Sequence, residues 1–205
     1  MTDPDWVDRQ LRRRGIDDPR VLAAMAKVPR ELFVPESVRS HAYDDAALAI
    51  GYEQTISQPY IVACTCQALE LNGDERVLDV GTGSGYQAAV LAELAADVVS
   101  IERVPELADR AREALTAAGY ADVVVLVGDG SAGVSERAPF AAIAVGAAAR
   151  RPPPDLLEQL EPGGRLVLPV GRFRQRLVLI ERTADGFVSR GLADVRFVPL
   201  VEGVR

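Results

Sequence analysis

The fold of this 205-residue chain is decided by one stretch, Arg76-Val77-Leu78-Asp79-Val80-Gly81-Thr82-Gly83-Ser84-Gly85-Tyr86. Its first residues are mostly apolar, as in a short buried strand, and a helical pattern begins at Tyr86. The glycines between strand and helix let the backbone take positive φ and let a ligand approach without a Cβ in the way. A strand, a glycine-rich turn and a helix in this order indicate the first unit of a ligand-binding α/β sheet.

The same alternation of strands and helices continues toward the C-terminus. The predicted strands are 77–80, 98–101, 123–127, 142–145 and 165–170, and the predicted helices between them are 86–95, 105–118 and 154–160. Strands joined by helices of this length run parallel, so the pattern predicts an α/β fold with a doubly wound, mostly parallel sheet and helices on both faces. A C-terminal antiparallel hairpin is predicted from 176–182 and 187–200.

The residues before the glycine-rich stretch are predicted to be helical and irregular. A first helix is expected from Trp6 to Arg14, stopped by Gly15, and Asp18-Pro19 is expected to begin a second helix that runs to Lys27. Two cysteines, Cys64 and Cys66, lie in an apolar helical stretch, where a free thiol packs as a small hydrophobic group.

Composition limits the chemistry. With one histidine, His41, and two cysteines, neither a His/Cys zinc site nor a disulfide framework can be built. The 23 basic against 30 acidic side chains give a net charge of −7, which disfavours a nucleic-acid partner. The apolar runs are too short to cross a bilayer, and the acidic start, Met1-Thr2-Asp3-Pro4-Asp5-Trp6, lacks the basic and apolar parts of a secretory leader. We therefore expect a cytoplasmic protein without a membrane segment.

Acidic residues stand at or near the ends of three successive predicted strands: Asp79, Glu102 and Asp129. The glycine spacing disfavours NAD, because a dinucleotide fingerprint would place its third glycine where Tyr86 stands. Asp79 would repel a pyrophosphate but favours a cation such as the sulfonium of S-adenosylmethionine; alternatively, it could cap the following helix. Glu102 is placed to accept hydrogen bonds from ribose hydroxyls, and Asp129 from the adenine amino group. The pattern predicts an S-adenosylmethionine site.

Several motifs follow one another in an order that chance does not readily produce. They are Gln54-Thr55-Ile56-Ser57-Gln58-Pro59, Gly81 to Ala92, Ile101-Glu102-Arg103, Gly128-Asp129-Gly130, Pro169-Val170-Gly171 and Val195-Arg196-Phe197-Val198-Pro199-Leu200. Together they resemble the protein-L-isoaspartate O-methyltransferase family over nearly the whole chain, and the first motif is the most specific. The resemblance implies methyl transfer from S-adenosylmethionine, with S-adenosylhomocysteine as product. The implied acceptor is the free carboxylate of L-isoaspartyl residues in damaged peptides and proteins, and the ester formed starts repair through a succinimide.

The resemblance also implies which residues form the site. The implied cofactor-binding residues are Thr55, Ile56, Asp79, Gly81, Gly83, Gly85, Glu102, Arg103, Asp129 and Gly130. The implied substrate-binding residues are Ser57, Val195, Arg196 and Phe197, with Ser57 also the catalytic residue. Ser57 precedes Pro59 by two positions, so its hydroxyl is expected to face an anion at a helix N-terminus; it could instead be only an N-cap. The segment Val195 to Phe197 could equally be an ordinary edge strand.

The implied reaction needs no general base. A carboxyl group with a pKa near 4 is already ionised at neutral pH, so the scarcity of histidine and thiol groups is compatible with carboxyl methylation. We expect a monomer of one domain, 1–205, that acts on peptide or protein substrates without a nucleic-acid or membrane partner. Its expected parts are N-terminal helices with a substrate-side segment (1–74), a cofactor-binding core (75–172) and the hairpin (173–205).

Departures from the family pattern bear on specificity. Glu53 stands where a small residue is common, Ala141 where an aspartate is usual and Gly146 where a threonine is usual.

Rival interpretations are a carboxyl methyltransferase of the same fold that acts on a normal aspartate of one dedicated peptide, a nucleic-acid methyltransferase, and a binding protein with a vestigial cofactor pocket.

Overall fold

The computed structural model describes residues 5–201 and Gly203; the N-terminal start, Met1 to Pro4, lies outside the described residues. The α-helices are α1 (Trp6–Gln10), α2 (Pro19–Lys27), α3 (Pro59–Leu69), α4 (Tyr86–Ala92), α5 (Pro105–Ala117) and α6 (Pro154–Glu158). The strands are β1 (Leu48–Gly51), β2 (Gln54–Ile56), β3 (Arg76–Val80), β4 (Asp97–Glu102), β5 (Val124–Val127), β6 (Phe140–Val145), β7 (Leu160–Val170), β8 (Gln175–Thr183) and β9 (Gly186–Val195). Among the described helices, none is long and apolar enough to span a bilayer.

The central sheet has seven strands in the order β5-β4-β3-β6-β7-β8-β9. Strands β3 to β7 pair in parallel, and β8 and β9 add an antiparallel hairpin at one edge. This confirms the predicted doubly wound sheet with its C-terminal hairpin. The chain runs outward from β3 to β5 and then returns to place β6 on the other side of β3, so the strand order reverses between β3 and β6. Open α/β sheets bind ligands at such a reversal, beyond the carboxyl ends of the strands.

Alternate side chains of the central strands pack on opposite faces of the sheet. On β3, Val77 belongs to the core shared with α2, α3 and α4, whereas Leu78 and Val80 belong to the core that includes Leu156 of α6. Because β3 is covered on both sides, its side chains from Val77 to Val80 are all buried. Helices on both faces hold the strand ends, and therefore the glycine-rich turn, in a fixed position.

The N-terminal part differs in two places from the sequence prediction. The first helix ends at Gln10 and is followed by a separate 3-10 turn, Arg12–Arg14, before Gly15 takes φ +92. Strands β1 and β2 form an antiparallel hairpin that the sequence did not reveal. Its turn residues, Tyr52 and Glu53, have φ values of +53 and +59, a conformation that normally selects glycine or asparagine, so the usual turn signal is missing.

The last strand is shorter than predicted, because β9 ends at Val195 rather than near Leu200. The Gln175 side chain donates to the Phe197 carbonyl at 3.1 Å and accepts from the Phe197 N–H at 2.6 Å, replacing the strand ladder there. Beyond it, the Ala148 N–H donates to the Val198 carbonyl and the Leu200 N–H to the Ala148 carbonyl, both at 2.8 Å. We call the described residues after β9, 196–201 and Gly203, the terminal segment. This segment leaves the sheet edge and crosses the carboxyl ends of the strands.

Gly85→Ala tests how tightly the glycine turn packs against α5. A Cβ at Gly85 would lie 3.2 Å from Leu115 Cγ and 3.4 Å from Ala111 Cβ. Gly119 has the same φ of +88 but no atom within 4 Å of the corresponding position, so Gly119→Ala is a matched control for backbone strain alone. Overpacking costs about 1–3 kcal/mol. We therefore expect urea titrations to show that Gly85→Ala loses about 1–3 kcal/mol more unfolding free energy than Gly119→Ala does. Equal losses of unfolding free energy in the two variants would contradict the packing argument.

Candidate active site

A cleft opens where the carboxyl ends of β3, β4 and β6 meet. It is lined by the glycine turn, by β2 and by the terminal segment; among its lining residues are Thr55, Gly81, Gly83, Glu102, Arg103, Gly130, Gly146 and Val198 to Val201. We call it the glycine-turn cleft. The structure brings together here six of the ten residues implied to bind the cofactor. The other four are Ile56, Asp79 and Gly85, which are buried, and Asp129, which lines the neighbouring cavity.

The glycine turn takes a backbone path that side chains disfavour. Gly81, Gly83 and Gly85 have φ values of +87, +53 and +88. The turn is tied to β4, because the Gly81 N–H donates to the Ile101 carbonyl at 2.8 Å and the Gly83 N–H donates to Glu102 Oε2 at 2.8 Å. The other Glu102 oxygen accepts from the Val104 N–H at 3.0 Å. Glu102 therefore fixes the turn while its carboxylate still lines the cleft.

Asp79 lies behind the turn rather than on the surface of the cleft. Its carboxylate is fully buried and accepts hydrogen bonds from Gln87 Nε2 at 2.8 Å and from Ser100 Oγ at 2.7 Å. Burial raises the pKa of Asp79 to about 6, although both hydrogen bonds oppose the rise. The alternative that Asp79 caps the next helix is wrong, because Gly85 is the N-cap of α4, and the N–H of Tyr86 in its first turn donates to Ser84 Oγ at 3.3 Å. Direct contact with a ligand stays a prediction.

Asp129 is engaged on both carboxylate oxygens. One oxygen accepts from the Ser131 N–H at 2.9 Å and the Ser131 hydroxyl at 2.7 Å, and the other accepts from the Gly203 N–H at 2.6 Å. Partial burial would raise the pKa of Asp129, but these hydrogen bonds and the nearby Arg103 outweigh burial and lower it. An adenine amino group, as predicted from the sequence, would have to share this carboxylate with the terminal segment.

A second cavity of about 500 Å³ adjoins the glycine-turn cleft and contains every residue implied to bind the substrate. Its lining includes Asp45, Thr55, Ser57, Gly146 and the segment Asp194 to Val198. Thr55, Gly146 and Val198 line both the cavity and the cleft. We call it the Ser57 cavity. The shared wall means that groups held in the two spaces would meet.

The Ser57 hydroxyl is free of protein partners. In residues 5–201 and Gly203 no hydrogen bond from its side chain is present, and the N-cap of α3 is Gln58. The alternative that Ser57 serves only as an N-cap is therefore wrong, because Ser57 stands immediately before the capping residue. Its hydroxyl remains available to a bound molecule.

Arg30 is the site residue that the sequence did not reveal. Its side chain is fully buried, and it donates to the Ala42 carbonyl from Nε at 2.6 Å and to the Ser57 carbonyl from Nη2 at 2.7 Å. Its guanidinium also lies 4.7 Å from the centre of the Tyr86 ring. Burial lowers the pKa of Arg30, because desolvation disfavours the charged guanidinium. A sequence pattern could not identify it, since arginine is ordinarily exposed.

The departures from the family pattern fall in different places. Glu53 is exposed at the tip of the β1–β2 hairpin, and Ala141 is half-buried in β6. Gly146 lies at the junction of the two spaces, where its N–H donates to the Val80 carbonyl at 2.7 Å. A Cβ there would lie 3.2 Å from the Gly81 carbonyl oxygen, so glycine lets the end of β6 approach the glycine turn closely.

Comparison with known proteins identifies relatives along the whole chain. Residues 5–205 match the family model described as protein-L-isoaspartate(D-aspartate) O-methyltransferase (PCMT). A protein-L-isoaspartate O-methyltransferase 1 of Syntrophobacter fumaroxidans is 56% identical over 196 residues, which cover 95% of this chain and 92% of that protein. A protein-L-isoaspartate O-methyltransferase of Methanoculleus marisnigri is 54% identical over 198 residues, covering 96% and 90%.

Solved structures extend the same likeness to three dimensions. A crystal structure of the beta-aspartate methyltransferase (PCMT) from Plasmodium falciparum in complex with S-adenosyl-L-homocysteine has a TM-score of 0.84 at 27% identity, and the match covers 98% of this chain and 99% of that one. Another structure, of a protein-L-isoaspartate O-methyltransferase, has a TM-score of 0.86 at 28% identity; the match covers 96% of this chain and 65% of that longer chain.

Asp79→Asn tests the buried carboxylate behind the turn. Because the folded pKa is raised from 3.8 to about 6, the carboxyl group favours folding below pH 4 and loses that contribution as the pH rises through 6. The loss amounts to about 3 kcal/mol at neutral pH if the whole shift is realised. We expect the unfolding free energy of Asp79→Asn minus that of the parent protein to rise between pH 4 and pH 6 and to keep the higher value above pH 6. If urea titrations give the same difference at every pH, the prediction is contradicted. The exposed Asp122→Asn is the control.

Arg30→Lys tests the buried tie to Ser57. A single ammonium cannot occupy the positions of both Nε and Nη2, so one of the two carbonyls loses a charged hydrogen bond worth about 1.5–3 kcal/mol. We expect a corresponding fall in unfolding free energy and a reduced turnover, because the Ser57 carbonyl is no longer held. The exposed Arg39→Lys provides the comparison, and wild-type values for Arg30→Lys in both measurements would refute the assignment.

Proposed function

The chain belongs to the protein-L-isoaspartate(D-aspartate) O-methyltransferase family, and from that premise we infer how its two adjoining spaces divide the reaction. It is an S-adenosylmethionine-dependent methyltransferase that methylates L-isoaspartyl residues in proteins and peptides. We assign the methyl donor to the glycine-turn cleft and the isoaspartyl carboxylate to the Ser57 cavity.

The residues of the glycine-turn cleft fit S-adenosylmethionine. Gly81 and Gly83 leave room for close approach, and the Glu102 carboxylate can accept hydrogen bonds from ribose hydroxyls. The buried Nε of Arg103 has no hydrogen-bond partner among the described residues and so can donate to a bound molecule. When bound, S-adenosylmethionine supplies an electrophilic methyl group on a positively charged sulfur. Asp79 and Glu102 place negative charge near that cation.

The shared wall of Thr55, Gly146 and Val198 is the observation that carries the proposal. It supports an arrangement with the carboxylate acceptor beside the methyl donor, because methyl transfer requires that an oxygen of the acceptor lie in line with the methyl carbon and sulfur. The Ser57 hydroxyl, which has no hydrogen-bond partner among the described residues, would donate a hydrogen bond that orients this carboxylate. No side chain has to remove a proton, because the carboxylate is ionised at neutral pH.

The substrate cavity favours a peptide in an extended conformation. Only Val195 of the three implied wall residues belongs to β9, whereas Arg196 and Phe197 follow the strand. The segment from Asp194 to Val198 lines the cavity next to Ser57. We propose that this segment and Ser57 hold the substrate from two sides.

The remaining predictions concern the protein as a whole. We propose a single domain that acts as a cytoplasmic monomer on peptide and protein substrates and does not act on nucleic acid. The net charge of −7 supports the last point, because a strongly acidic chain repels a polyphosphate backbone.

Ser57→Ala tests the assignment with matched substrates. A hydrogen bond to a charged group is worth about 1.5–3 kcal/mol, so we expect kcat/KM for an isoaspartyl peptide to fall about 10- to 100-fold. Transfer of a labelled methyl group from S-adenosylmethionine is the measurement, and the melting temperature should not change, because the hydroxyl has no partner in the described protein.

The controls for this assay separate the rival functions. Exposed Ser40→Ala should keep the parent activity. The same peptide with a normal aspartyl residue should accept far less methyl group than its isoaspartyl form, whereas equal transfer would favour the dedicated aspartyl methyltransferase. Labelling of RNA in place of peptide would overturn the proposed substrate, and near-normal turnover by Ser57→Ala would remove Ser57 from the mechanism.

A further inference from the structure

The substrate groove continues past the Ser57 cavity along the turn between β7 and β8. A cavity of about 860 Å³ there is lined by Arg172, Phe173, Arg174, Gln175, Asp194, Val195, Arg196, Phe197 and Pro199. It shares the segment Asp194 to Phe197 with the Ser57 cavity, so the two spaces adjoin along this segment. A peptide held at Ser57 can therefore extend into this second space.

The second space is cationic although the chain is acidic. Arg172, Arg174 and Arg196, which we call the arginine rim, line it and are all exposed. Asp194 is the carboxylate among its described lining residues. In residues 5–201 and Gly203, no arginine of the rim lies within 4.0 Å of a carboxylate. The rim thus offers free guanidinium groups to a ligand.

Carboxylates nearby do not neutralise the rim. Asp45, in the Ser57 cavity, is paired with Arg14 at 2.6 Å. Asp129 lines a neighbouring cavity and is hydrogen bonded to Ser131 and Gly203. That neighbouring cavity also contains Arg150, Arg151 and Asp155. The arginines therefore face the groove with little internal compensation.

The rim also carries an aromatic side chain suited to a peptide. Phe173 is 91% exposed at the turn, and the Arg172 guanidinium lies 5.0 Å from the centre of its ring. Exposed aromatic side chains beside arginines are typical of protein interfaces, where the ring covers backbone and the guanidinium binds a carboxylate in a bidentate manner.

We propose that the arginine rim selects isoaspartyl sites that have acidic residues nearby in the peptide. This inference rests on the proposed function, since it takes the methylated carboxylate to be at Ser57. An extended chain advances about 3.3–3.6 Å per residue, so acidic side chains a few residues from the isoaspartyl residue can reach Arg172 and Arg174. Carboxylate–guanidinium attraction would raise both the affinity and the rate of association for such peptides.

The test compares two isoaspartyl peptides that differ only in flanking residues, glutamate in one and lysine in the other, with a neutral peptide as reference. Exposed ion pairs contribute about 0.2–1 kcal/mol each, so two pairs should favour the glutamate peptide by roughly 2- to 30-fold in kcat/KM at low salt. The preference should shrink toward unity at about 0.5 M salt, because screening is then strong.

The arginines are tested by the double variant Arg172→Gln/Arg174→Gln. It should abolish most of the preference for glutamate while the neutral peptide is methylated at the parent rate. Arg12→Gln/Arg13→Gln removes the same charge from an exposed turn in the N-terminal part and should keep the preference. An equal loss in this control would show a general charge effect and overturn the inference.

Other outcomes separate this inference from the proposed function. Equal kcat/KM for glutamate and lysine peptides, with the neutral peptide still methylated, would overturn the role of the rim and leave the function intact. If no isoaspartyl peptide is methylated, both fail. Stronger inhibition by polyuridylate than by a glutamate-rich peptide, lost in the Arg172/Arg174 variant, would assign the rim to phosphate groups and overturn the proposal as well.

Discussion

The buried guanidinium of Arg30 joins the two halves of the active site. It binds the carbonyls of Ala42 and Ser57 and lies beside the ring of Tyr86, the first residue of the helix that follows the glycine turn. Burying a charge without a carboxylate partner is costly unless its hydrogen bonds are satisfied. The two carbonyls offset part of this cost, whereas the buried Nη1 has no hydrogen-bond partner among the described residues. Because both bonds form only in one arrangement, they tie the segment at Ser57 to the part of the chain around Ala42 and Tyr86.

The second constraint is the gathering of carboxylates at the ends of parallel strands. Asp79 and Glu102 lie close enough for Glu102 to raise the pKa of Asp79 further beyond the effect of burial. Such a concentration of negative charge destabilises the empty site and favours a cation, which supports the proposed binding of the positively charged methyl donor there. The methyl acceptor is itself an anion that needs orientation rather than deprotonation, which is consistent with the proposal that one serine hydroxyl, without a hydrogen-bond partner among the described residues, orients it.

The terminal segment links the cofactor and substrate spaces. After β9 it bonds to Gln175, pairs with Ala148 and approaches Asp129 through the N–H of Gly203. Val198 lines both spaces, and Asp194 to Phe197 line the adjoining cavity that contains the arginine rim. The same short segment therefore shapes the glycine-turn cleft, the Ser57 cavity and the adjoining groove, so under the proposed function it would contact both the methyl donor and the substrate.

The sequence by itself determined the parallel sheet, the glycine turn and the family resemblance, because strand and helix periodicity, turn glycines and short motifs are encoded by neighbouring residues. Only the tertiary structure decided that Asp79 is buried behind the turn, that Ser57 is not an N-cap, and that Arg30 holds its carbonyl. It also revealed the β1–β2 hairpin, the early end of β9 and the arginine rim. The β1–β2 hairpin joins near neighbours but lacks the usual turn residues, because Tyr52 and Glu53 take positive φ. The contact of Asp79 with Ser100, those of Arg30 with Ala42 and Ser57, and that of Gln175 with Phe197 join residues far apart in the chain, and such contacts leave no local pattern in the amino-acid sequence.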